Sequence, residues 1–306
     1  MKRVTIKQLE SVRAVAEAGT IVKAAEQLNV TPAALTSRIQ LLEEDAGVAL
    51  FDRAGGRLRL TVAGEEVVNA AHGIERVLTH LDVTLGALRG ARSGRIAVGI
   101  VSTAKYIAPR LVAAFARQNP HIEVTITVGN RSEMVAQLRD HRLDVCLMGR
   151  PPADFPVESV AIGEHPQVIV AAPDHPLVGQ KQIGKAALAQ ENFIIREEGS
   201  GTRAVFDYFF SDVPVRHPTV NIEIGSNETI KQAVMAGLGL ALLSAHTIEA
   251  EVVSGRLAVL DVAGLPLLRQ WFVVRRADRA PTPLAQAIWD FAVEEAPKLL
   301  PNGIAA

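Results

Sequence analysis

Hydroxyl, amide and guanidinium side chains recur in the last two thirds of the sequence, each time just after a predicted strand or at the start of a predicted helix. Helix N-termini offer unpaired N–H groups and a partial positive charge, and arginine matches the oxygens of a carboxylate or phosphate. The pattern indicates a site for a small anion. The candidate ligand residues are Ser102, Thr103, Lys105, Asn130, Arg131, Arg150, Ser200, Gly201, Thr202, Arg203, Asn227 and Glu228. A structural salt bridge is the alternative for each arginine.

The same residue types give little support for catalysis. Cys146 lies between Val145 and Leu147 in a predicted strand, which favours a buried core residue over a nucleophile. Ser200 lacks the G-x-S-x-G pattern of a hydrolase, and residues 199–203 (GSGTR) lack the lysine of a P-loop. The eight histidines show no metal-ligand spacing. We therefore expect a protein that is not an enzyme and has no cofactor or metal.

The elements that would position the candidate ligand residues are those of an α/β domain. From Gly94 onward apolar strands, including short ones over 167–171 and 271–274, alternate with helices. This alternation predicts a mostly parallel α/β fold with more strands than one small sheet holds. In such folds ligands bind at the carboxyl ends of strands, so the candidates would face one cleft. The two predicted lobes comprise residues 94–163 with 268–300, and residues 164–267.

Residues 20–43 have the pattern of two short helices joined by a tight turn, a helix-turn-helix that enters a DNA groove. Thr31 can cap the second helix, and Pro32 suits its first position. The face of that helix left free by its apolar residues is small and polar. The predicted DNA-contacting residues on it are Thr31, Pro32, Ala33, Thr36, Ser37, Arg38 and Gln40. An αα-hairpin in a helical domain is the alternative.

A short hairpin follows the second helix. Residues 50–53 and 57–60 predict two strands that place leucines inward and arginines outward. Beside a helix-turn-helix this is a basic wing that reaches phosphate or a minor groove, and a solvated strand face is the alternative. The winged helix-turn-helix would occupy residues 1–61. The wing residues predicted to contact DNA are Arg53, Arg57 and Arg59.

Residues 62–93 predict a long helix followed by a hinge. Apolar residues repeat at intervals of four and three from Val67 and Ala71 onward, which is a heptad seam. DNA readers of this kind bind as pairs on half-sites roughly 34 Å apart. Pairing between two copies is therefore favoured over packing on the C-terminal domain. The predicted dimerisation residues are Ile74, Leu78, Leu81, Leu85 and Leu88.

Composition limits the partners and the compartment. The formal net charge of the 306 residues is −1, and residues 1–93 carry 12 Lys/Arg and 11 Asp/Glu, so DNA binding must depend on local charge placement. The single cysteine excludes an internal disulfide. No signal peptide or membrane span is predicted. We therefore expect a cytoplasmic protein.

The order of helix, helix-turn-helix, wing and long linker helix resembles the LysR-type transcriptional regulators over essentially the whole chain. Residues 24–36 (AAEQLNVTPAALT) are similar to that family's signature, as are residues 60–64 (LTVAG). The family usually has Gln-Pro after the capping residue where this chain has Pro32-Ala33, so Thr36, Ser37 and Arg38 are the expected groove contacts. The resemblance implies a two-lobed α/β effector domain of periplasmic-binding-protein type. It also implies a homodimer or homotetramer in which the effector changes the DNA bend.

Several segments narrow the resemblance to the branch that controls Calvin-cycle carbon-fixation operons. They include STAKY, VGNR, MGRPP, GSGTR and SNETIKQAVMAGLG. That branch implies sensing of ribulose bisphosphate, phosphoglycolate, phosphoenolpyruvate or NADPH, whereas the residues themselves indicate only an anion. Our hypothesis is a metabolite-responsive regulator that binds double-stranded DNA, with RNA polymerase as a possible further partner and the choice of activator or repressor left open. A cytoplasmic anion-binding module without DNA regulation is the alternative.

Overall fold

The computed structural model describes residues 4–54, 57–88, 94–213 and 219–301. The chain divides into two compact units, the second beginning at Gly86. Each unit has its own architecture and is described separately. The first contains the predicted winged helix-turn-helix and linker helix, and the second contains the predicted α/β lobes.

Local hydrogen-bonding signals define the first helix. Helix α1 (Ile6–Ala18) begins at a capping box in which the Thr5 side chain accepts from the Gln8 backbone and the Gln8 side chain accepts from the Thr5 backbone. It ends at Gly19, whose φ of 72° is the left-handed conformation that glycine adopts at low cost. Its buried face carries Leu9 and Val12.

The predicted helix-turn-helix is present. Helix α2 (Ile21–Gln27) and helix α3 (Pro32–Ala46) flank a turn in which Asn29 has a φ of 52°. The Thr31 side chain accepts from the Ala34 backbone, and Pro32 occupies the first turn of α3. The buried residues on these two helices are Ala24, Ala25, Leu35, Ile39 and Leu42.

The wing and the long helix follow as predicted. Strands β1 (Phe51–Ala54) and β2 (Arg57–Leu60) are antiparallel, and helix α4 runs over Val62–Leu88. Gly64 lies where α4 meets the hairpin, since a Cβ there would be 2.1 Å from the Leu50 carbonyl oxygen. The family-like LTVAG segment therefore needs its glycine for close packing. Leucines on β2 pack against the core of this unit.

The second unit is built on one large twisted sheet. Its strands are β3 (Gly94–Val101), β4 (Ile122–Gly129), β5 (Val145–Met148), β6 (Val157–Ala171), β9 (Ala241–Ser244), β10 (Ala258–Val259) and β11 (Leu267–Arg276), in the order β10-β6-β11-β5-β3-β4, with β9 also on β6. Strands β7 (Asn192–Arg196) and β8 (Thr219–Ile224) form a small parallel sheet. The helices are α5 (Ala108–Gln118), α6 (Arg131–Arg139), α7 (Lys185–Leu188), α8 (Gly201–Phe209), α9 (Asn227–Met235), α10 (Glu249–Val253) and α11 (Pro283–Leu299). Two 3-10 turns cover Ser102–Tyr106 and Ala245–Thr247.

The prediction of a mostly parallel fold is wrong for the centre of this sheet. Strand β11 pairs antiparallel over its full length with residues 157–167 of β6, and β11–β5, β6–β9 and β10–β6 are antiparallel too. The sequence predicted only the apolar halves of the two long strands, because the first half of β6 is largely half-exposed and carries charged residues such as Glu158 and Glu164. The predicted crossings between lobes lie within or beside these two strands. The lobe boundaries themselves stay a prediction.

Strand alternation builds separate cores on the two faces of β6. Ile169 packs with Phe193, Phe206 and other residues beneath α8, whereas Val168 and Val170 belong to a cluster with residues of α9. These cores hold the strand ends and helix starts from which polar side chains project. Cys146 on β5 is fully buried, as predicted, and burial raises the pKa of its thiol.

Candidate functional site

A cavity of about 800 Å³ lies in the second unit, where the carboxyl ends of β3, β5 and β7 meet the starts of α6 and α8. A cavity of this size holds a small metabolite. Nine of the twelve predicted ligand residues line it. They are Ser102, Thr103, Asn130, Arg131, Arg150, Ser200, Gly201, Thr202 and Arg203.

Three predicted ligand residues, Lys105, Asn227 and Glu228, do not line the cavity. The Lys105 Nζ lies 2.9 Å from a Glu228 carboxylate oxygen, and the Tyr106 hydroxyl donates to that carboxylate at 3.0 Å. Partial burial opposes ionisation of Glu228, but hydrogen bonds from Lys105, its own backbone, Tyr106 and Ser226 lower its pKa to about 2. Asn227 is fully buried and accepts from Arg196. Lys105 and Glu228 are 123 residues apart in the chain, so the sequence does not reveal that their opposite charges are paired.

The cavity also contains functional candidates that the sequence reasoning missed. Arg196 and Arg269 line it, as do Ser132, His165 and Gln167. The sequence feature that could have identified Arg196 is its position at the end of an apolar strand, residues 192–196 (NFIIR). Arg269 was missed because the predicted strand began at residue 271, whereas β11 begins at Leu267.

Three arginines on the wall lie close enough for their charges to repel one another, and the Asp154 carboxylate offsets only part of this repulsion at Arg131. Arg131 donates to the carbonyl oxygens of Arg150 at 3.3 Å and Pro151 at 3.4 Å. Within the described residues, Arg131, Arg150 and Arg269 form no ion pair with a carboxylate. Burial, and then the positive charge of Arg150, lowers the pKa of both Arg131 and Arg269. An anion bound here would relieve this repulsion.

Arg203 on the same wall is different. Its guanidinium lies 3.0 Å from Asp207 and 3.2 Å from Glu223, and it also donates to the Arg196 carbonyl oxygen. For Arg203 the structure shows the salt-bridge alternative that the sequence left open. Its charge is already compensated without a ligand.

Arg196 is buried, and each of its three guanidinium nitrogens donates at least one hydrogen bond. It donates to both Glu197 carboxylate oxygens at 2.7 and 2.8 Å, to Asn227 Oδ1 at 2.7 Å and to Ser102 Oγ at 3.0 Å. Partial burial would raise the pKa of Glu197, but the bonds from Arg196 keep it below its usual value. Ser102 follows β3 while Arg196 ends β7, so this bond spans the two predicted lobes.

His165 on β6 forms part of the cavity wall, next to β11. Its ring stacks on Trp271 with centroids 3.7 Å apart, and the Trp271 indole N–H donates to His246 at 3.1 Å. Burial, followed by His246 and Arg269, lowers the pKa of His165 to about 3, so the ring is neutral at pH 7. A Cβ on Gly149 would lie 3.0 Å from His165 Nδ1, so glycine permits this close contact.

The predicted DNA surface is the outer face of α3. Thr31, Pro32, Ala33, Ser37 and Gln40 are exposed, and Thr36 and Arg38 are half-buried. The Thr36 hydroxyl donates to the Pro32 carbonyl oxygen at 2.9 Å, which leaves its oxygen as an acceptor only. On the wing Arg59 is exposed, whereas the side chains of Arg53 and Arg57 lie outside the described residues. Whether these side chains contact DNA stays a prediction.

The linker seam divides into two parts. Val67 and Ala71 are buried in the core of the first unit. The next seam residues are unusually exposed for apolar side chains, at 37% for Ile74, 43% for Leu78 and 52% for Leu81. Leu85 is 39% exposed, and the Leu88 side chain lies outside the described residues. The dimerisation role of these residues stays a prediction.

In the described part of the chain, the His, Cys, Asp and Glu side chains form no group that could hold a metal ion. No described helix combines the length and apolar character that crossing a bilayer requires.

Comparison with known families identifies both units. The profile of the bacterial regulatory helix-turn-helix protein of the lysR family matches residues 6–65, and that of the LysR substrate binding domain matches residues 89–297. A helix-turn-helix unit and a ligand-binding α/β unit in one chain define a bacterial regulator of transcription with a sensor domain. The chain belongs to the LysR family of transcriptional regulators. The predicted fold class is thereby confirmed.

Individual relatives are similar over nearly the full length. The HTH-type transcriptional regulator CbbR of Sinorhizobium medicae (strain WSM419) is 49% identical over 301 residues, covering 98% of this chain and 96% of that protein. The RuBisCO operon transcriptional regulator of Allochromatium vinosum is 39% identical over 298 residues, covering 97% and 98%. The predicted resemblance to the carbon-fixation branch is confirmed. These relatives are named as regulators and not as enzymes.

One solved structure is similar to the second unit. It is the Synechocystis PCC6803 CcmR regulatory domain in complex with 2-PG, with 34% sequence identity and a TM-score of 0.63. The match covers 66% of this chain and 96% of that domain.

Proposed function

We propose that this LysR-type regulator controls a carbon-fixation operon in response to a small anionic metabolite bound in the cavity of the second unit. The observation that carries the proposal is the group of Arg131, Arg150 and Arg269, which line a metabolite-sized cavity and form no ion pair among the described residues. The names of the relatives support the operon, and the 2-PG complex of CcmR supports the ligand class.

An anionic ligand would bind this cavity because its negative charge compensates the positive charge of the arginines. Two partly buried guanidinium groups, those of Arg131 and Arg269, and the exposed one of Arg150 line the same cavity. A phosphate or carboxylate accepts charge-assisted hydrogen bonds from such groups. Hydroxyl and glycine residues at the starts of α6 and α8 add donors for the remaining oxygens. Phosphorylated sugars and organic acids, and NADPH, satisfy this chemistry.

The decisive experiment selects genomic DNA fragments bound by the full chain, with and without 2-PG, phosphoenolpyruvate or ribulose bisphosphate. We expect a preferred fragment upstream of carbon-fixation genes and a shift in affinity or footprint with one metabolite. Effector and DNA must influence each other through a coupling free energy, typically about 1–3 kcal/mol. A chain that binds the anion but prefers no DNA fragment would be the anion-binding module instead.

We propose that the α3 face and the wing bind DNA, with α3 in a groove and the wing arginines on phosphate. Arg57→Ala with Arg59→Ala should weaken binding to all sequences and reduce the salt slope by about two phosphate contacts. Equilibrium binding at several salt concentrations measures this slope. Arg117→Ala, which removes an exposed arginine from α5, is the control and should leave the slope unchanged. An unaltered slope in the double variant would exclude the wing.

We propose that the exposed half of the α4 seam pairs two protomers. Leu81→Asp places a charge in the seam and should dissociate the assembly, because burying an unpaired carboxylate is unfavourable. Light scattering measures the mass. Leu238→Asp alters a leucine of the same 52% exposure outside the seam and should keep the parental mass. The same mass for both variants would refute the seam.

A further inference from the structure

The hydrogen bond between Arg196 and Ser102 has a direction fixed by chemistry. A guanidinium group has donors only, so the Ser102 oxygen must accept the bond at 3.0 Å. The Ser102 hydrogen then needs an acceptor of its own. The described residues provide none, and Ser102 lines the cavity.

Arg196 itself is held in place. Its side chain is 1% exposed, and its nitrogens are occupied by Glu197, Asn227 and Ser102. These partners lie directly after β7, at the start of α9 and in the 3-10 turn after β3. Rotating the guanidinium towards a ligand would break several charge-assisted bonds in a buried place. Its role is therefore exerted through Ser102.

Building on the proposed function, we propose that Arg196 is a positioning residue that keeps the Ser102 hydroxyl as a hydrogen-bond donor to the ligand. The ligand atom at this point must be an acceptor, and an oxygen of an ionised phosphate or carboxylate is the strongest acceptor that a metabolite offers. A ligand hydroxyl oxygen accepts this bond more weakly, and an ammonium group cannot accept it.

The same bond ties ligand recognition to the arrangement of the predicted lobes. The 3-10 turn that carries Ser102 is also held by Lys105 and Tyr106, which contact Glu228 on α9. If the lobes separate, Ser102 loses its fixed donor orientation. Anion binding would therefore favour the arrangement in which these bonds are formed.

Calorimetry with the full-length protein, using 2-PG and inorganic phosphate as probes, tests the role. Ser102→Ala should lower affinity by about tenfold, and Ser102→Thr, which keeps a hydroxyl, should retain most of it. Arg196→Lys still only donates and should bind better than Arg196→Gln, whose amide oxygen can accept the Ser102 hydrogen and withdraw it from the ligand.

A double variant separates positioning from direct contact. Arg196→Gln should have little further effect on affinity once Ser102 is alanine. Equal losses with and without Ser102 would overturn the positioning role, as would wild-type affinity in Ser102→Ala. If the Arg196 variants fail to fold, judged by thermal unfolding, the Ser102→Ala and Ser102→Thr pair still decides the donor role.

The variant Arg150→Ala shows whether a negative result refutes only the positioning role of Arg196 or also the proposal that the cavity binds an anion. A loss of affinity in Arg150→Ala with none in Ser102→Ala refutes the positioning role and keeps the anion site. No loss in either variant, or no binding of either probe to the wild type, refutes the proposed cavity and the positioning role together.

Discussion

The two groups of arginines on the cavity wall differ in their partners. Arg131, Arg150 and Arg269 form no ion pair among the described side chains, and burial and then like charge lower the pKa of Arg131 and Arg269. Arg196 and Arg203 are bonded to Glu197, Asp207 and Glu223. Position beside a cavity is thus a weaker sign of ligand binding than charge left uncompensated.

The two groups of arginines should also respond differently to substitution, one by losing stability and the other by losing ligand affinity. A paired arginine stabilises the fold, so its removal leaves carboxylates without partners. An unpaired arginine in a cluster destabilises the empty protein and becomes favourable only when an anion binds. In many ligand sites, residues that favour binding lower the stability of the protein without its ligand.

Arg150→Ala should produce the largest effect on binding. Loss of a charge-assisted hydrogen bond of about 1.5–3 kcal/mol lowers affinity for 2-PG by roughly tenfold to a hundredfold. Thermal unfolding without ligand should be unchanged or slightly higher, because repulsion of Arg131 and Arg269 is relieved. Calorimetry and a melting curve measure both, with Arg117→Ala as the control. A lower melting temperature together with unchanged affinity for 2-PG would show that Arg150 stabilises the fold and does not bind the ligand.

Arg203→Gln should lower stability and leave ligand affinity nearly unchanged, and its effect should be smaller than that of Arg150→Ala. Two partly exposed ion pairs are lost, so the free energy of unfolding should fall by about 1 kcal/mol. Affinity for 2-PG should change by less than about threefold, since solvent screens the lost charge. Chemical denaturation and calorimetry measure the two quantities. A large affinity loss would place Arg203 with the unpaired group.

The smallest effect concerns the Lys105–Glu228 pair outside the cavity. Glu228 has a pKa of about 2, below its ordinary value of 4.5, so the stability from this pair is present above pH 4.5. It is lost as the pH falls from about 4.5 towards 2. Melting temperatures of the wild type and Glu228→Gln should converge over this interval. A constant difference between them would show that the charge of Glu228 contributes nothing.

The sequence predicted the local features well, because each depends on neighbouring residues. The Thr5 capping box, the Asn29 turn and the Thr31 cap all lie where their residue types require them. The helix-turn-helix follows from these signals and from apolar spacing. The strand ends and helix starts that line the cavity could be predicted for the same reason.

The remainder depends on contacts between distant segments. Arg269 lies in a half-exposed stretch of β11 that carries no clear strand pattern, and it reaches the cavity only because β11 pairs with β6. The pairing of Lys105 with Glu228, and of Arg203 with Glu223, joins residues far apart in the chain. Sequence spacing identifies cations near a site but does not reveal which of them already have partners.

Gly64 has a mechanical consequence for the first unit. The space for even one methyl group is missing between α4 and the Leu50 carbonyl oxygen, so the helix is seated directly on the hairpin backbone. Close-packed interfaces transmit displacement and do not absorb it. A rotation of the first turn of α4 would therefore be passed to the Leu50 backbone, which leads into β1 of the wing.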